Sequence, residues 1–224
     1  IVFVGGISPN LEKEQARVQV PGFDNGDRTS IELPQVQRDI LKALHEAGKK
    51  VVLVCCSGSA VALAPEQAGS CDAIVEAWYA GEQGGHALAD VLFGDYNPSG
   101  KLAVTFYKDD SQLPPFEEYR MAGRTYRYFT GEPLYPFGYG LSYTTYQYGK
   151  PGFKDGKVSV SVKNTGKCEG TEIVQVYLHR ISDTEGPCKT LRGYARVNLK
   201  AGQQQLVEIS LPQERFETWD AETN

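Results

Sequence analysis

The hydrophobic pattern of this chain changes period near residue 150, so no single layer architecture serves both halves. Before that point, short apolar runs alternate with helix-spaced segments. IVFVG at the start reads as a buried strand, LPQVQRDILKALHEAG carries apolar residues at 33, 36, 40, 41 and 44, and KKVVLVCCSGS reads as the next strand. Pro34 falls at the helix start, where a missing N–H is harmless, and Gly48 falls where a C-terminal cap belongs. APEQAGSCD then predicts a short helix or turn, AIVEAWY a third strand, GGHALADVLFG a helix, and KLAVTFY another strand. Such alternation predicts an α/β fold, a mostly parallel sheet with helices on both faces and its functional loops at the carboxyl ends of the strands.

Downstream the spacing becomes strictly alternating. VSVSVKNTG, EIVQVYLHR, TLRGYARVNL and QLVEISL are strand patterns separated by turn signals such as NTG and KAGQ, which predicts an antiparallel β-sandwich. About five strands are legible where such a sandwich uses about seven, so the second domain reads as incomplete. The expected organisation is an α/β domain over 1–122, an aromatic-rich linker over 123–149 and a sandwich over 150–224. Nine residues of the linker are Tyr or Phe, rings that stack on sugars or fasten a connecting segment to its neighbours; packing is the preferred reading.

Composition excludes several classes. With 224 residues, 41% hydrophobic and 23% charged, the chain is an ordinary globular one, and no apolar run approaches the ~20 residues that cross a bilayer. A net charge of −5 with dispersed Lys and Arg argues against nucleic acid. Five cysteines, two of them adjacent in a buried strand, indicate neither a disulfide framework nor a metal site; three scattered histidines add nothing to a metal reading. No cofactor is expected. The chain opens directly on a buried strand with no initiator Met or leader, as an excised piece would.

Three motifs bear on chemistry. GEQGGHALADVLFG has glycines before a helix but matches neither phosphate-loop spacing, and Glu82 would repel an anion; tight strand-to-helix packing accounts for it better. CSGSA places Ser57 and Ser59 just after a strand, as a hydrolase nucleophile is placed, yet the surrounding residues are not GxSxG and only His45, His86 or His179 could act as base. The serines are read as turn caps. The third is LEKEQARVQVPGFDNGDRTSIELP, 11–34, a loop after the first strand that holds Glu12, Glu14, Asp24, Asp27 and Glu32. Such a run is either a solvated acidic loop or the carrier of a general acid that approaches a leaving group held elsewhere.

The segments EKEQ with GDRTSIELPQVQ, then WYAGEQGGHALADVLFGDYNPSGKLAVTFY, then LPPFEEYRMAGRTYRYFTGEPLYPFGYGLSYTTY, resemble glycoside hydrolase family 3 enzymes of the β-xylosidase and β-glucosidase type. VSVSVKNTGKCEGTEIVQVYLHR with LRGYARVNLKAG resembles the fibronectin type III-like domain that follows in many members. The resemblance implies a parent with an upstream barrel carrying the sugar site and an Asp nucleophile, and a second domain that contributes an acid/base Glu from the loop after its first strand. By position Glu14 matches that Glu and Asp27-Arg28 the Asp-Arg pair that follows it. Gln15 stands where Gly is common and an insert separates Glu14 from the pair, so Glu12 is the fallback. Asp27-Arg28 is read as an ion pair closing the loop. The expected partners are an oligosaccharide substrate and the barrel of the same parent chain, with self-association of the piece through the face the barrel would cover. The expected compartment is periplasmic or extracellular, and the piece alone is expected to be inactive.

Overall fold

The computed structural model describes residues 1–12 and 17–218, and it divides into two compact units. Unit 1 comprises 1–90, 104–125 and 130–137; unit 2 comprises 91–103, 126–129 and everything from 138 onward.

Unit 1 is built on a parallel sheet. β1 (Val2–Gly6) leads into a long loop that contains a two-residue-strand hairpin, β2 (Phe23–Asp24) and β3 (Asp27–Arg28), and then α1 (Gln35–Glu46). β4 (Val52–Cys56), α2 (Pro65–Gly69), β5 (Ala73–Glu76) and α3 (Gly84–Phe93) follow. The sheet order is β1-β4-β5, with Val2 opposite Val52 and Val52 opposite Ala73. Leu33, Leu41, Leu53, Cys55, Val61 and Leu63 form the core, with Phe3, Leu44 and Ile74 packed against it.

Helix α1 ends as its sequence requires. Gly48 takes a φ of 65° while its N–H reaches the His45 carbonyl and Lys49 N–H reaches Leu44, a left-handed cap that suits glycine. Pro34 stands one position earlier than the first helical residue, as the N-cap, and its carbonyl accepts from Gln37 and Arg38. Of the five helix-spaced apolar residues, Leu33, Leu41 and Leu44 turn to the core, whereas Val36 and Ile40 are exposed. Val2 and Val4 of β1 are exposed as well.

KLAVTFY does not form the expected strand. Its pairing is discontinuous: an isolated antiparallel bridge of Phe106 with Tyr135, closed by hydrogen bonds in both directions, and separately Leu102, which donates to the Tyr139 carbonyl and accepts from Gly138 N–H. The facing segment carries Pro133 and Pro136, which donate no N–H, so a ladder cannot propagate there.

Unit 2 contains α4 (Thr125–Tyr128) at its border and then antiparallel strands: β6 (Tyr146–Tyr148), β7 (Gly152–Lys154), β8 (Lys157–Asn164), β9 (Gly170–Leu178), β10 (Thr190–Leu199) and β11 (Gln204–Ser210). One sheet pairs β9 with β10; the other runs β11-β8, with β6 and β7 both on the outer edge of β8. Alternate residues Val160, Val162, Val174, Val197, Leu199, Val207 and Ile209 fill the core between them. The architecture is therefore the expected one, a parallel α/β sheet followed by an antiparallel sandwich.

Two polar groups are built into this core. Asn164 is fully buried with its amide donating to the Cys168 and Leu199 carbonyls, while its oxygen accepts from Thr144 and Gly166 N–H. Glu172 is buried between Lys101 at 3.3 Å and the Tyr148 hydroxyl at 2.9 Å. Rings of 123–149 are also placed by packing: Tyr126 meets Tyr177 edge-on within unit 2, and Tyr135 meets Phe106 within unit 1.

Candidate active site

The carboxyl ends of β1, β4 and β5 meet at one mouth of the unit 1 sheet. The root of the first loop is tightly fixed. Gly6 has a φ of 112°, and a Cβ there would stand 2.0 Å from the Cys56 carbonyl oxygen, so only glycine fits. The Gln37 side-chain amide then clasps both backbone groups of Gly6, accepting at 2.8 Å and donating at 2.7 Å. Beyond Ile7 the chain turns at Ser8, whose carbonyl accepts from Leu11 and Glu12 N–H, and this turn delivers Glu12 to the mouth.

From β5 the chain enters with a left-handed residue. Trp78 has a φ of 54°, and its N–H is held by the Glu76 carboxylate at 3.1 Å while its ring sits edge-on against Phe106. That turn ends the strand three residues short of the AIVEAWY run and aims Tyr79 at the loop from β1, where its hydroxyl donates to Glu12 Oε2 at 2.5 Å. Burial and the Glu12 carboxylate both push the Tyr79 phenol above its ordinary value, so it stays a donor. Gly58, from the loop after β4, lies beneath the ring: a Cβ there would stand 2.7 Å from Tyr79 Cε2 and 3.4 Å from Glu12 Oε2.

Arg28 supplies the positive charge. Its hairpin turns through Asn25 and Gly26, both at positive φ, as an Asn-Gly turn does. The guanidinium reaches the Ser30 carbonyl at 3.2 Å, Ser59 Oγ at 3.0 Å and the Ala60 carbonyl at 3.3 Å, tying the first loop to the one after β4. Burial lowers its pKa, opposed by the charges of Glu12, Tyr79 and Asp110, and one of its nitrogens, Nη2, is buried without an acceptor. The expected ion pair with Asp27 is not among the ion pairs of the described residues. Consecutive residues of β3 point to opposite faces, so the two side chains diverge. Glu32 is paired with Arg38, and Asp24 accepts from Asn25. Asp110 caps the Ile31 N–H at 2.8 Å.

Glu14, the expected acid, lies outside the described residues, and Glu12 is the loop carboxylate that the geometry brings to the mouth. Ser57 is fully buried, bonded to the Ser59 carbonyl at 2.8 Å and to the Glu76 carboxylate at 3.2 Å, and none of the three histidines is among its partners. A serine nucleophile is therefore not supported, and the hydroxyl closes the turn after β4. Burial raises the pKa of Glu76, against the hydrogen bonds from Trp78 and Ser57. Of the glycines of GEQGGHALADVLFG only Gly84 is crowded, where a Cβ would meet Ala80 at 2.3 Å; Gly81, Gly85 and Gly94 face open space, so strand-to-helix packing does not account for them. Among the described residues no cluster of three or more His, Cys, Asp or Glu could hold a metal, and no helix is long and apolar enough to cross a membrane.

Tyr79 and Gly58 are the functional candidates that the sequence reading passed over. The available signal was a Trp-Tyr pair at the carboxyl end of a strand, where α/β sheets carry their ligand-facing loops.

Residues 1–143 match the glycosyl hydrolase family 3 C-terminal domain, and residues 172–224 match a fibronectin type III-like domain. The chain is 56% identical to a xylan 1,4-beta-xylosidase of Xylanibacter ruminicola, over 100% of this chain and 26% of that protein. It is 42% identical to a periplasmic beta-glucosidase of Salmonella typhimurium, over 86% of this chain and 28% of that one. A solved β-glucosidase from Erythrobacter marinus superposes with a TM-score of 0.81 at 39% identity, covering 100% of this chain and 30% of its own. The chain thus spans roughly a quarter to a third of the length of these relatives.

Proposed function

We propose, since the chain belongs to glycosyl hydrolase family 3, that it is the C-terminal part of a retaining, exo-acting β-glycosidase, a β-xylosidase that removes terminal residues from plant-polysaccharide oligomers. The observation that carries this reading is the 56% identity along the whole chain to a protein named as a xylan 1,4-beta-xylosidase. In this reading 1–122 is the acid-bearing domain, 123–149 connects, and 150–224 is the fibronectin-like module; 91–103, though packed in unit 2, belong by sequence to the first. The parent works in the periplasm or outside the cell, the compartment named for the Salmonella relative.

A retaining glycosidase uses two carboxyl groups about 5–5.5 Å apart. An upstream Asp attacks the anomeric carbon and forms the glycosyl ester. Glu14 protonates the glycosidic oxygen as the C–O bond breaks, then takes a proton from the water that hydrolyses the ester. The reading places this acid on the loop between β1 and α1, at the mouth where parallel sheets present ligand-facing groups.

The test uses the full-length parent. Glu14→Ala should lower kcat/KM for xylobiose about 10²–10⁴-fold but spare a dinitrophenyl xyloside, whose leaving group needs little protonation. Equal losses on both would sink the acid role. The ratio of kcat/KM for xylobiose and cellobiose decides between xylosidase and glucosidase. The isolated chain, lacking the nucleophile, should turn over neither aryl xyloside nor aryl glucoside.

A non-catalytic sugar-binding role is favoured by one observation: Phe116 and Tyr119 are 90% and 89% exposed, as rings that stack on sugars would be. Millimolar or tighter binding of xylobiose to the isolated chain, lost on Phe116→Ala, would support it. The exposed Val2, Val4, Val36 and Ile40 are expected to drive self-association of the isolated chain. A clean monomer in light scattering would rule that out.

A further inference from the structure

We infer that Tyr79 is a positioning residue for the acid-bearing loop, acting through Glu12, and that Glu12 is the loop's anchor and does not itself transfer the proton. The inference rests on the reading of Glu14 as the acid.

Three independent features converge on the Tyr79–Glu12 contact. The donor is aimed by a left-handed Trp78 whose N–H the Glu76 carboxylate holds, a conformation unusual for a bulky residue and kept here by its surroundings. The ring has its place only because residue 58 lacks a side chain. The acceptor stands two positions before Glu14 in the sequence, so the bond fixes the residue from which the segment carrying Glu14 departs. Arg28 draws the same loop toward the segment after β4 from its other end. Glu12 Oε2 accepts the phenolic hydrogen, so one of the two carboxylate oxygens is committed to the tether.

A carboxyl held within a few tenths of an ångström of a departing oxygen matters most when that oxygen needs the proton. Loss of the tether should therefore show in leaving-group dependence. In the full-length parent, Tyr79→Phe removes one hydroxyl and leaves the ring. It should lower kcat/KM for xylobiose about tenfold, near the usual scale for a hydrogen bond to a charged group, with under twofold change in kcat/KM on a dinitrophenyl xyloside. Glu12→Gln keeps an acceptor oxygen and should stay within about threefold of the parent, whereas Glu12→Ala should match Tyr79→Phe, and the double variant should be no worse than either single one.

Each outcome decides something. An unchanged Tyr79→Phe, or equal losses on both substrates, overturns the positioning role while Glu14→Ala still behaves as an acid deletion. Glu12→Gln as damaging as Glu14→Ala makes Glu12 a proton-transfer group and overturns the anchor. If Glu14→Ala shows no leaving-group dependence, the acid reading of the loop falls and the role of Tyr79 falls with it.

Discussion

Each unit contains a glutamate that accepts a tyrosine hydroxyl, and the two pairs are set in opposite surroundings. In unit 2, Glu172 and Tyr148 stand on strands, and Lys101 meets the carboxylate from a second direction, so the group is buried with one donor on each oxygen. In unit 1, Glu12 and Tyr79 stand on loops at the open end of a parallel sheet, half-exposed, with the cation Arg28 engaged elsewhere. The same hydrogen bond thus serves cohesion in one place and aim in the other. What separates them is the rigidity of the elements that carry the pair, which decides whether losing it unfolds a domain or misdirects a loop.

The largest test of this contrast is Glu172→Ala. It leaves the partly buried Lys101 ammonium with the Gly140 carbonyl but without its counter-charge, a loss of about 3 kcal/mol, and hydrogen exchange should lose protection in β9 and β10 but keep it in β4. Uniform loss in both units would mean that the two do not unfold separately. Next, Tyr148→Phe should cost about 1.5–3 kcal/mol in the same strands with kinetics of the parent unchanged. The mirror experiment, Tyr79→Phe, should change stability by less than about 0.5 kcal/mol while altering leaving-group dependence. If both variants changed only stability, the proposed difference between the pairs would disappear.

Gly58→Ala tests the aim from below. The new methyl displaces the Tyr79 ring without removing its hydroxyl, so xylobiose turnover should fall about tenfold, and adding Tyr79→Phe should bring little further loss. The smallest effect is in pH. The folded state raises the Glu76 pKa above 4.5, so between 4.5 and that raised value it binds more protons than the unfolded chain. Stability of unit 1 is greatest below 4.5 on this account and declines as pH rises through the window. Glu76→Gln keeps the acceptor for Trp78 and should flatten that slope in thermal melts taken from pH 4 to 7; an unchanged slope would place its origin in other groups.

The change of period near residue 150 made most of the fold legible, because alternation and helical spacing are backbone geometry written in side chains. Helix α1 and the strands β8 to β11 fall within one or two residues of their patterns. KLAVTFY failed because its partner segment, some thirty residues on, is punctuated by prolines, a non-local fact that no window along the strand contains. The mouth was legible only in outline. That a carboxylate-bearing loop follows β1 could be read; that Glu12 meets Tyr79 could not, since the contact depends on Trp78 adopting a backbone conformation that its residue type disfavours. Asp27-Arg28 misled for a simpler reason: neighbours in a strand face apart.

The clasp of Gln37 on Gly6 has a consequence for how such a loop changes over time. Because the exit from β1 is held by backbone contacts with Cys56 and by one side chain of α1, none of it depends on the residues further out. Lengthening the segment between Ile7 and Leu33 would leave its two roots where they are, and doubling it adds only about 0.6 kcal/mol of closure entropy. Insertions in this segment are therefore cheap experiments for evolution: the outer part of the loop can be resculpted while the sheet beneath it keeps the same foundation.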